Sequence, residues 1–380
     1  MIRLRPGRSL VAAAIALGLI AAPAGPASAD SIRDKQWYLS ALDVADAQRI
    51  STGAGVTVAL VDTGVKAEHR DLRAAILPGF DATGDARGDG RDDPVGHGTE
   101  MAGIIAGRGH GGGSGILGIA PGAKIFPAGA AIDGPSNGAD IARAIDQATK
   151  SGAKVMNLSF ARPAGQNIRE AIQRARAADI VVVAGSGNTD RPAADRFPAL
   201  YPEVLSVGAV DRDGKLSKIS VTNEGVDIVA PGQDIATTGI FSSGYSIGTG
   251  TSPATAMVSG AAALIRAKYP DLSAADVIHR LTATATDAGP KGRDDSYGFG
   301  RLNLVKALTA EVGPAPAESA AAAPAASAGA PAPAPVPDDD PPQALPLRKV
   351  LPIVLAVGAG LLVLAIGIVV IVLMIRRQRT

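Results

Sequence analysis

Three separate segments of the chain carry residue types that together could perform nucleophilic catalysis at an acyl carbon. Asp62 ends an apolar run, His97 stands between two glycines, and Ser252 follows a glycine-rich turn. A serine hydroxyl is a weak nucleophile near neutral pH unless a nearby base takes its proton. A histidine can be that base when an acid fixes its tautomer and stabilises the imidazolium. Taken singly, the aspartate and the serine are more typical of a turn and a helix cap, so the prediction depends on their combination.

A fourth segment could stabilise the negative charge that develops on the substrate oxygen. A strand-like run at residues 180–184 leads into Asn188, whose side-chain amide is a suitable oxyanion donor at the end of a strand. Pro253 disfavours helical angles at Ser252 and suits a first helical position, which predicts that Ser252 is the N-cap of a helix. Its backbone N–H would then be a second donor, aided by the helix dipole.

The elements that must position these residues alternate between strands and helices. Residues 141–148 and 168–175 each repeat apolar side chains at helical spacing. Apolar runs typical of strands buried on both faces occupy residues 56–61, 124–128, 154–160, 179–184 and 204–210. This pattern predicts an α/β fold with a mainly parallel sheet, in which active sites lie beyond the carboxyl ends of the strands. His97 precedes a run of small residues that is typical of a closely packed helix. The other three histidines lack that setting and are predicted to be structural or solvated: His69, His110 and His279.

Composition narrows the possible classes of function. The 380 residues include no cysteine, which excludes disulfides, thiol catalysis and cysteine-ligated metals. The formal net charge of +1 gives no support for nucleic-acid binding, so no nucleic acid partner is predicted. The hydrophobic fraction of 46% is typical of a folded protein rather than a disordered one.

Both ends of the chain are basic and contain no acidic residues, as expected of segments that contact a membrane. Residues 1–29 have the basic start, short apolar run and Ala-Ser-Ala ending of a secretory signal peptide. Residues 348–380 contain a long apolar run. As a helix with a rise of about 1.5 Å per residue, this run would be longer than the hydrocarbon core of a bilayer, which is roughly 30 Å thick. The segment is therefore predicted to form one C-terminal transmembrane helix and a short cytoplasmic tail. The intervening chain divides into an N-terminal extension (30–50), a soluble domain (51–312) and a Pro/Ala-rich linker (313–347).

The motifs resemble those of the subtilisin-like serine proteases, the subtilases. The resemblance lies in VALVDTGV at 58–65, GHGTEMAGIIAG at 96–107, NLSF at 157–160, VVVAGSGN at 181–188 and GTSPATAMVSGAAAL at 250–264. The chain order Asp, His, Ser is also that of subtilisin. The resemblance implies a three-layer subtilisin-like fold, a catalytic triad of Asp62, His97 and Ser252, and an oxyanion hole containing Asn188. It also implies that a substrate groove is lined by Ser159, Phe160, Ala161, Gly185, Ser186 and Gly187.

The layout of signal, catalytic domain, proline-rich stalk and single C-terminal span is similar to that of the mycosins, membrane-anchored subtilases associated with type VII secretion. This resemblance implies three kinds of partner, namely a protein or peptide substrate, the lipid bilayer and membrane components of type VII secretion. It also implies a cell-membrane protein whose catalytic domain is extracytoplasmic and whose C-terminus is cytoplasmic.

The sequence departs from the subtilase pattern at several places. Ala256 stands where the family usually has proline, and Phe160 with Ala161 replaces the usual Leu-Gly of the groove segment. Residues 30–50 are too few to form a folded pro-domain of the usual kind. We therefore predict that this extension packs on the catalytic domain without acting as a cleaved chaperone.

The sequence thus predicts a membrane-anchored, extracytoplasmic serine endopeptidase that hydrolyses peptide bonds through an acyl-enzyme intermediate. The alternative is a structural component of a membrane secretion complex with weak or vestigial proteolysis. A lipase or esterase is disfavoured because the G-x-S-x-G elbow of that fold does not surround Ser252. No cofactor or metal is predicted. Many subtilases bind calcium, so a structural calcium site remains a further alternative, with Asp211, Asp213 and the acidic loop 89–93 as candidate ligands.

Overall fold

A seven-stranded parallel sheet organises the chain in the computed structural model, which describes residues 31–83, 88–132 and 138–316. The strands are β1 (Thr57–Asp62), β2 (Phe80–Asp81), β3 (Lys124–Gly129), β4 (Val155–Leu158), β5 (Val181–Gly185), β6 (Leu205–Val210), β7 (Ile228–Pro231), β8 (Ile235–Thr238) and β9 (Tyr245–Gly248). The helices are α1 (Ser31–Asp34), α2 (Tyr38–Ala41), α3 (Val44–Ile50), α4 (His97–Ala106), α5 (Gly138–Lys150), α6 (Gln166–Ala177), α7 (Thr251–Lys268), α8 (Ala274–Ala283) and α9 (Leu304–Thr309). The strand order in the sheet is β2-β3-β1-β4-β5-β6-β7, and β8 and β9 form a separate antiparallel pair.

The central strands are buried on both faces, which confirms the predicted α/β class. Strands β4, β5 and β6 contain only buried residues, and β1 is buried from its second residue onward. Their order places the carboxyl ends of β1, β4 and β5 side by side at one edge of the sheet. The predicted run 154–160 pairs only as far as β4 extends, so its last two residues continue beyond the sheet at this edge.

Alternate residues of the central strands pack into two different helical layers. Val58 and Leu60 of β1 belong to a hydrophobic cluster that includes α4 and α7, whereas Ala59 and Val61 belong to a second cluster with α5 and α6. Because successive side chains of a strand point to opposite faces, one apolar run supplies both clusters. The result is the predicted three-layer arrangement of helices, sheet and helices.

The N-terminal extension packs on the rest of the domain in the part of it that the structure describes. Tyr38 of α2 is fully buried, and its hydroxyl donates to the carbonyl oxygen of Ala236 at 3.2 Å. The indole Nε1 of Trp37 lies 3.2 Å from the carbonyl oxygens of both Gln233 and Asp234. These contacts fasten the start of α2 to the segment around β8. That the extension does not act as a cleaved chaperone stays a prediction.

The predicted membrane-directed segments lie outside the described residues. This applies to the signal peptide at 1–29, to the transmembrane segment at 348–380, and to all but the first residues of the linker at 313–347. Within the described ranges, the structure contains no helix whose length and apolar character would let it cross a bilayer.

Candidate active site

Asp62 is the last residue of β1 and lies fully buried at the carboxyl edge of the sheet. Its Oδ1 accepts a hydrogen bond from the backbone N–H of Thr63 at 2.8 Å. The same oxygen lies 2.8 Å from Nδ1 of His97, whose side chain is 27% exposed. The structure therefore brings the predicted acid and the predicted base into direct contact.

The start of α4 holds His97 in place. Gly96 is the N-cap with φ 104°, a left-handed conformation that strongly favours glycine, and the helix begins at His97. With Nδ1 turned to the Asp62 carboxylate, the opposite ring nitrogen, Nε2, is the one that can exchange a proton with a substrate-side group. His97 lines a cleft that also contains Ser252.

A buried carboxylate, Asp93, joins the turn after β1 to the first turn of α4. Its Oδ1 accepts from the Thr63 hydroxyl and the Gly96 N–H, both at 2.8 Å. Its Oδ2 accepts from the N–H and the hydroxyl of Thr99 at 2.9 and 2.6 Å. Sequence analysis had considered Asp93 only as a possible calcium ligand. In the structure its oxygens instead fix the two segments that carry Asp62 and His97.

Ser252 lies in the first turn of α7, which corrects the prediction that it is the N-cap. The N-cap is Gly250, and the helix begins at Thr251. The backbone N–H of Thr251 donates to Oδ1 of Asn188, so a neighbouring segment supplies the capping acceptor and the helix starts earlier than predicted. Pro253 is compatible with this position because the first four N–H groups of a helix have no intrahelical partner. Ser252 Oγ donates to the carbonyl oxygen of Ser159 at 3.2 Å.

Asn188 follows β5 with its side-chain amide held in one orientation. Oδ1 accepts from the N–H and the hydroxyl of Thr251 at 3.0 and 3.1 Å. Nδ2 is left as the donor and lies against Gly250, where a Cβ atom would be 3.1 Å away from it. The N–H of Ser252 has no intrahelical acceptor because of its place in the first turn. The two donors predicted for an oxyanion hole are therefore close together: the Ser252 N–H is in the first turn of α7, and the Asn188 amide is held against the residues that begin this helix.

We expect Asn188→Ala to lower kcat by about 10²–10³ with little change in KM, because the amide would bind the oxyanion more strongly than the ground-state carbonyl. Steady-state kinetics on a peptide substrate measure this effect. Asn303→Ala is the matched control, since Asn303 caps α9 by accepting from the Lys306 N–H at 2.9 Å and does not line the cleft. A folded Asn188→Ala protein with wild-type kcat would contradict the assignment.

Five of the six predicted groove residues line the cleft, namely Ser159, Phe160, Ala161, Gly185 and Gly187. Gly185 permits the close approach of α7, because a Cβ atom there would lie 2.7 Å from Oγ1 of Thr251. Ser186 is different. It is 1% exposed, its hydroxyl donates to the carbonyl oxygen of Val221 at 3.1 Å, and it does not line the cleft, so its prediction as a groove residue is corrected.

A buried polar network supports the groove from below. Asn157 is fully buried, donates from Nδ2 to Ser159 Oγ at 2.8 Å and accepts at Oδ1 from Ser259 of α7 at 3.0 Å. Ser159 Oγ in turn donates to the carbonyl oxygen of Ser252 at 3.2 Å. The network ties the end of β4 to the helix that carries the predicted nucleophile.

The cleft also contains a carboxyl group that sequence analysis missed. Glu100 lines the cleft three residues after His97 on α4, a spacing that places both side chains on one helix face. Burial raises the pKa of Glu100, while a hydrogen bond with Ser246 and the proximity of His97 act in the opposite direction. The i, i+3 spacing was the signal available in the sequence.

The remaining cleft residues that were not predicted as site residues are Met101, Ile132, Asp190, Arg191, Gly248, Thr249, Thr251 and Pro253.

A second aspartate–histidine pair lies outside the cleft. Asp71 is buried, and its Oδ1 lies 2.7 Å from Nδ1 of His110, while its Oδ2 accepts from the Ile116 N–H at 2.8 Å. His69 is also buried and places Nε2 2.7 Å from the carbonyl oxygen of Gly244. Both histidines thus contribute to structure, as predicted.

The candidate calcium ligands are engaged in local contacts. Asp211 Oδ1 accepts from the N–H groups of Asp213 and Lys215, both at 2.9 Å, and Asp89 pairs with Arg91 at 2.6 Å. Across residues 31–83, 88–132 and 138–316, no group of three or more metal-ligating side chains is arranged around a common point. The calcium alternative gains no support from these residues, and the prediction that no cofactor is needed stays a prediction.

Comparison with known proteins assigns this geometry to a family. Residues 53–300 match the subtilase (Peptidase_S8) family. Subtilisin DY of Bacillus licheniformis is 36% identical over 263 residues, which cover 67% of this chain and 91% of that protein. Mycosin-1 of Mycobacterium tuberculosis is 36% identical over 343 residues, which cover 74% of each chain. The solved structure of the MycP3 protease from the type VII (ESX-3) secretion system superposes with a TM-score of 0.62 at 33% identity, covering 72% of this chain and 88% of that one. The chain is therefore a serine protease of the subtilase family, related to the mycosins.

Proposed function

We propose that this protease is a membrane-anchored extracytoplasmic endopeptidase in which Asp62, His97 and Ser252 form the catalytic triad. The observation that carries the proposal is the 2.8 Å contact between Asp62 Oδ1 and His97 Nδ1, in a cleft that Ser252 and Asn188 also line. A buried carboxylate, a partly exposed imidazole and a hydroxyl at a helix N-terminus are the groups that acyl transfer requires.

In the acylation step, Ser252 Oγ attacks the carbonyl carbon of the scissile peptide bond and its proton passes to His97 Nε2. The Asp62 carboxylate stabilises the resulting imidazolium through Nδ1. The Asn188 amide and the Ser252 N–H donate to the carbonyl oxygen as it becomes negative. The C–N bond then breaks, and His97 returns its proton to the leaving nitrogen.

Deacylation repeats this sequence with water as the nucleophile. His97 takes a proton from water, the hydroxide oxygen attacks the ester carbonyl, and the C–Oγ bond breaks. Ser252 regains its proton from His97 as the carboxylic acid product leaves. The same donors stabilise the oxyanion in both steps, so one site serves the complete cycle.

Association with type VII secretion is the second part of the proposal. It is supported by the likeness to Mycosin-1 and to MycP3, a protease from a type VII secretion system. The apolar run within residues 348–380 and the linker at 313–347 support a tether that holds the catalytic domain outside the membrane. The substrate in this setting would be a protein or peptide that passes the extracytoplasmic surface of the membrane.

Covalent labelling tests the triad. A fluorophosphonate probe should form a single adduct on Ser252, identified by peptide mapping, because phosphonylation requires a hydroxyl activated by a base and an oxyanion site. Ser252→Ala should abolish the label. Ser217→Ala should retain it, since Ser217 is buried, donates to Gln233 Oε1 and does not line the cleft. An unlabelled folded wild type, or equal labelling of Ser252→Ala, would refute the triad.

A further inference from the structure

Glu100 occupies a fixed place in the cleft beside the predicted base. It lies on α4 one turn beyond His97, and its backbone carbonyl oxygen accepts from the Thr237 hydroxyl of β8 at 2.6 Å. Its carboxyl group interacts with the side chain of Ser246 on β9. A Cβ atom on Gly248 would lie 3.7 Å from Oε2, so the carboxyl is next to the end of β9.

The Glu100 carboxyl has a partly desolvated setting. It is half-buried, and it takes part in no salt bridge within the part of the chain that the structure describes. Three charged groups act on it: His97 lowers its pKa, and Asp62 and Asp93 raise it. Burial is the main cause that raises the pKa of Glu100. A cation placed beside this carboxyl would therefore stabilise its charged form.

If the acyl half of the substrate lies along the segments that follow β4 and β5, Glu100 lies on the leaving-group side of the scissile bond. The walls that would hold the acyl half, Phe160 and Gly187, follow β4 and β5. Strand β1 and the start of α4 lie on the other side of β4. Because His97 must protonate the leaving nitrogen, the leaving half has to pass the face of α4 that bears His97 and Glu100.

We propose that Glu100 selects a lysine or arginine side chain at the substrate residue that follows the scissile bond. The inference rests on the proposed function, since it uses the same cleft and the same direction of substrate binding. Gly248, opposite Glu100, leaves room for the cationic head.

Transfer of the acyl group to an added amine tests the preference for the residue after the scissile bond. The result does not depend on any preference for the residues before that bond. A peptide ester that acylates Ser252 is supplied together with a dipeptide amide, whose amino nitrogen attacks the ester carbonyl of the acyl-enzyme. A C–N bond replaces the C–Oγ bond, and the proton lost by the amine reaches Ser252 Oγ through His97. The competing nucleophiles are Arg-Gly, citrulline-Gly, Ala-Gly and Glu-Gly amides, and the products are quantified by chromatography.

We expect the wild type to prefer Arg-Gly over its neutral isostere citrulline-Gly by about 5- to 10-fold, the range for a partly exposed ion pair. Glu100→Gln should reduce this ratio to about one, and Glu100→Lys should favour Glu-Gly. Glu68→Gln makes the same change of charge at an exposed position outside the cleft and should retain the wild-type ratio.

The outcomes separate the two proposals. Equal use of arginine and citrulline by the wild type, or an unchanged ratio in Glu100→Gln, would overturn the role of Glu100. The wild-type comparison gives this answer even if a variant fails to fold. Failure of the ester to acylate the folded wild type, with no fluorophosphonate adduct on Ser252, would instead overturn the proposed function.

Discussion

Replacing Ser252 by alanine is expected to lower kcat for peptide hydrolysis by about 10⁶, the loss typical of removing the nucleophile of such a triad. The residual rate would come from substrate binding and from the oxyanion donors, which the substitution leaves in place. Stability should change little, because the Ser252 side chain makes one hydrogen bond at the margin of the cleft, to Ser159 O at 3.2 Å. Kinetics at saturating substrate and a thermal melt of the same sample measure both quantities.

Ser217→Ala is the control for loss of a hydroxyl. Its hydrogen bond to Gln233 Oε1 is 3.1 Å long and partly buried, so we expect a loss of about 1 kcal/mol in the free energy of unfolding and an unchanged kcat. The opposite pattern is expected for Ser252→Ala. A folded Ser252→Ala protein that retained more than a hundredth of wild-type kcat would mean that another group is the nucleophile.

The same substitution distinguishes chemistry from scaffolding in the cell. Because Ser252→Ala leaves the fold and any docking surface intact, cells that carry only this variant retain a purely structural contribution. Failure to restore secretion would show that hydrolysis is required. Full restoration would favour the structural alternative, in which the domain serves a membrane complex and proteolysis is dispensable.

The sequence was most informative where a motif residue ends or follows an apolar run that is buried in the structure. β1 is an apolar run that ends in Asp62, and β5 is an apolar run that ends in Gly185, three residues before Asn188. Because parallel strands place their carboxyl ends at one edge, this pattern predicted that Asp62 and Asn188 lie at the same edge of the sheet. The helical faces of α5 and α6 were also predicted, since their apolar residues are buried at the predicted spacing.

Elements that depend on long-range contacts were not predictable from local pattern. β8 and β9 have no strong apolar alternation, and they are held against α4 by hydroxyl groups of Thr237 and Thr238 that donate to helix carbonyl oxygens. The start of α7 was misplaced for a similar reason. Its capping acceptor is the side chain of Asn188, 63 residues away in sequence, which no local rule for Pro253 could include.

The roles of two residues near the site were predicted incorrectly. Ser186 sits within a glycine-rich motif, yet its hydroxyl is directed to the Val221 carbonyl, because a residue beyond a strand end can face either side. Asp93 appeared as one member of an acidic loop. Its role depends on five donors from two segments, Thr63 and residues 95–99, which the folded arrangement brings together.

Replacing Asp62 by asparagine is expected to lower kcat by about 10⁴ while the fold is retained. The substitution removes the negative charge that stabilises the His97 imidazolium in both chemical steps. It also replaces one carboxylate oxygen by an N–H donor. If that donor faces His97 Nδ1, the imidazole must carry its proton on Nε2, where it cannot accept the Ser252 proton. Kinetics of peptide hydrolysis and the rate of fluorophosphonate labelling should fall together.

The chain contains a matched control for this change in its second aspartate–histidine pair. Asp71 and His110 are joined at 2.7 Å with side-chain exposures of 0% and 27%, and Asp62 and His97 at 2.8 Å with the same exposures. Asp71→Asn should therefore lower the thermal midpoint, through the altered contact with His110, without lowering kcat of the folded protein. If the two asparagine variants lost kcat equally, the effect at Asp62 would reflect general destabilisation. A loss confined to Asp62 would follow from the position of its partner, since His97 lines the cleft with Ser252 and His110 does not.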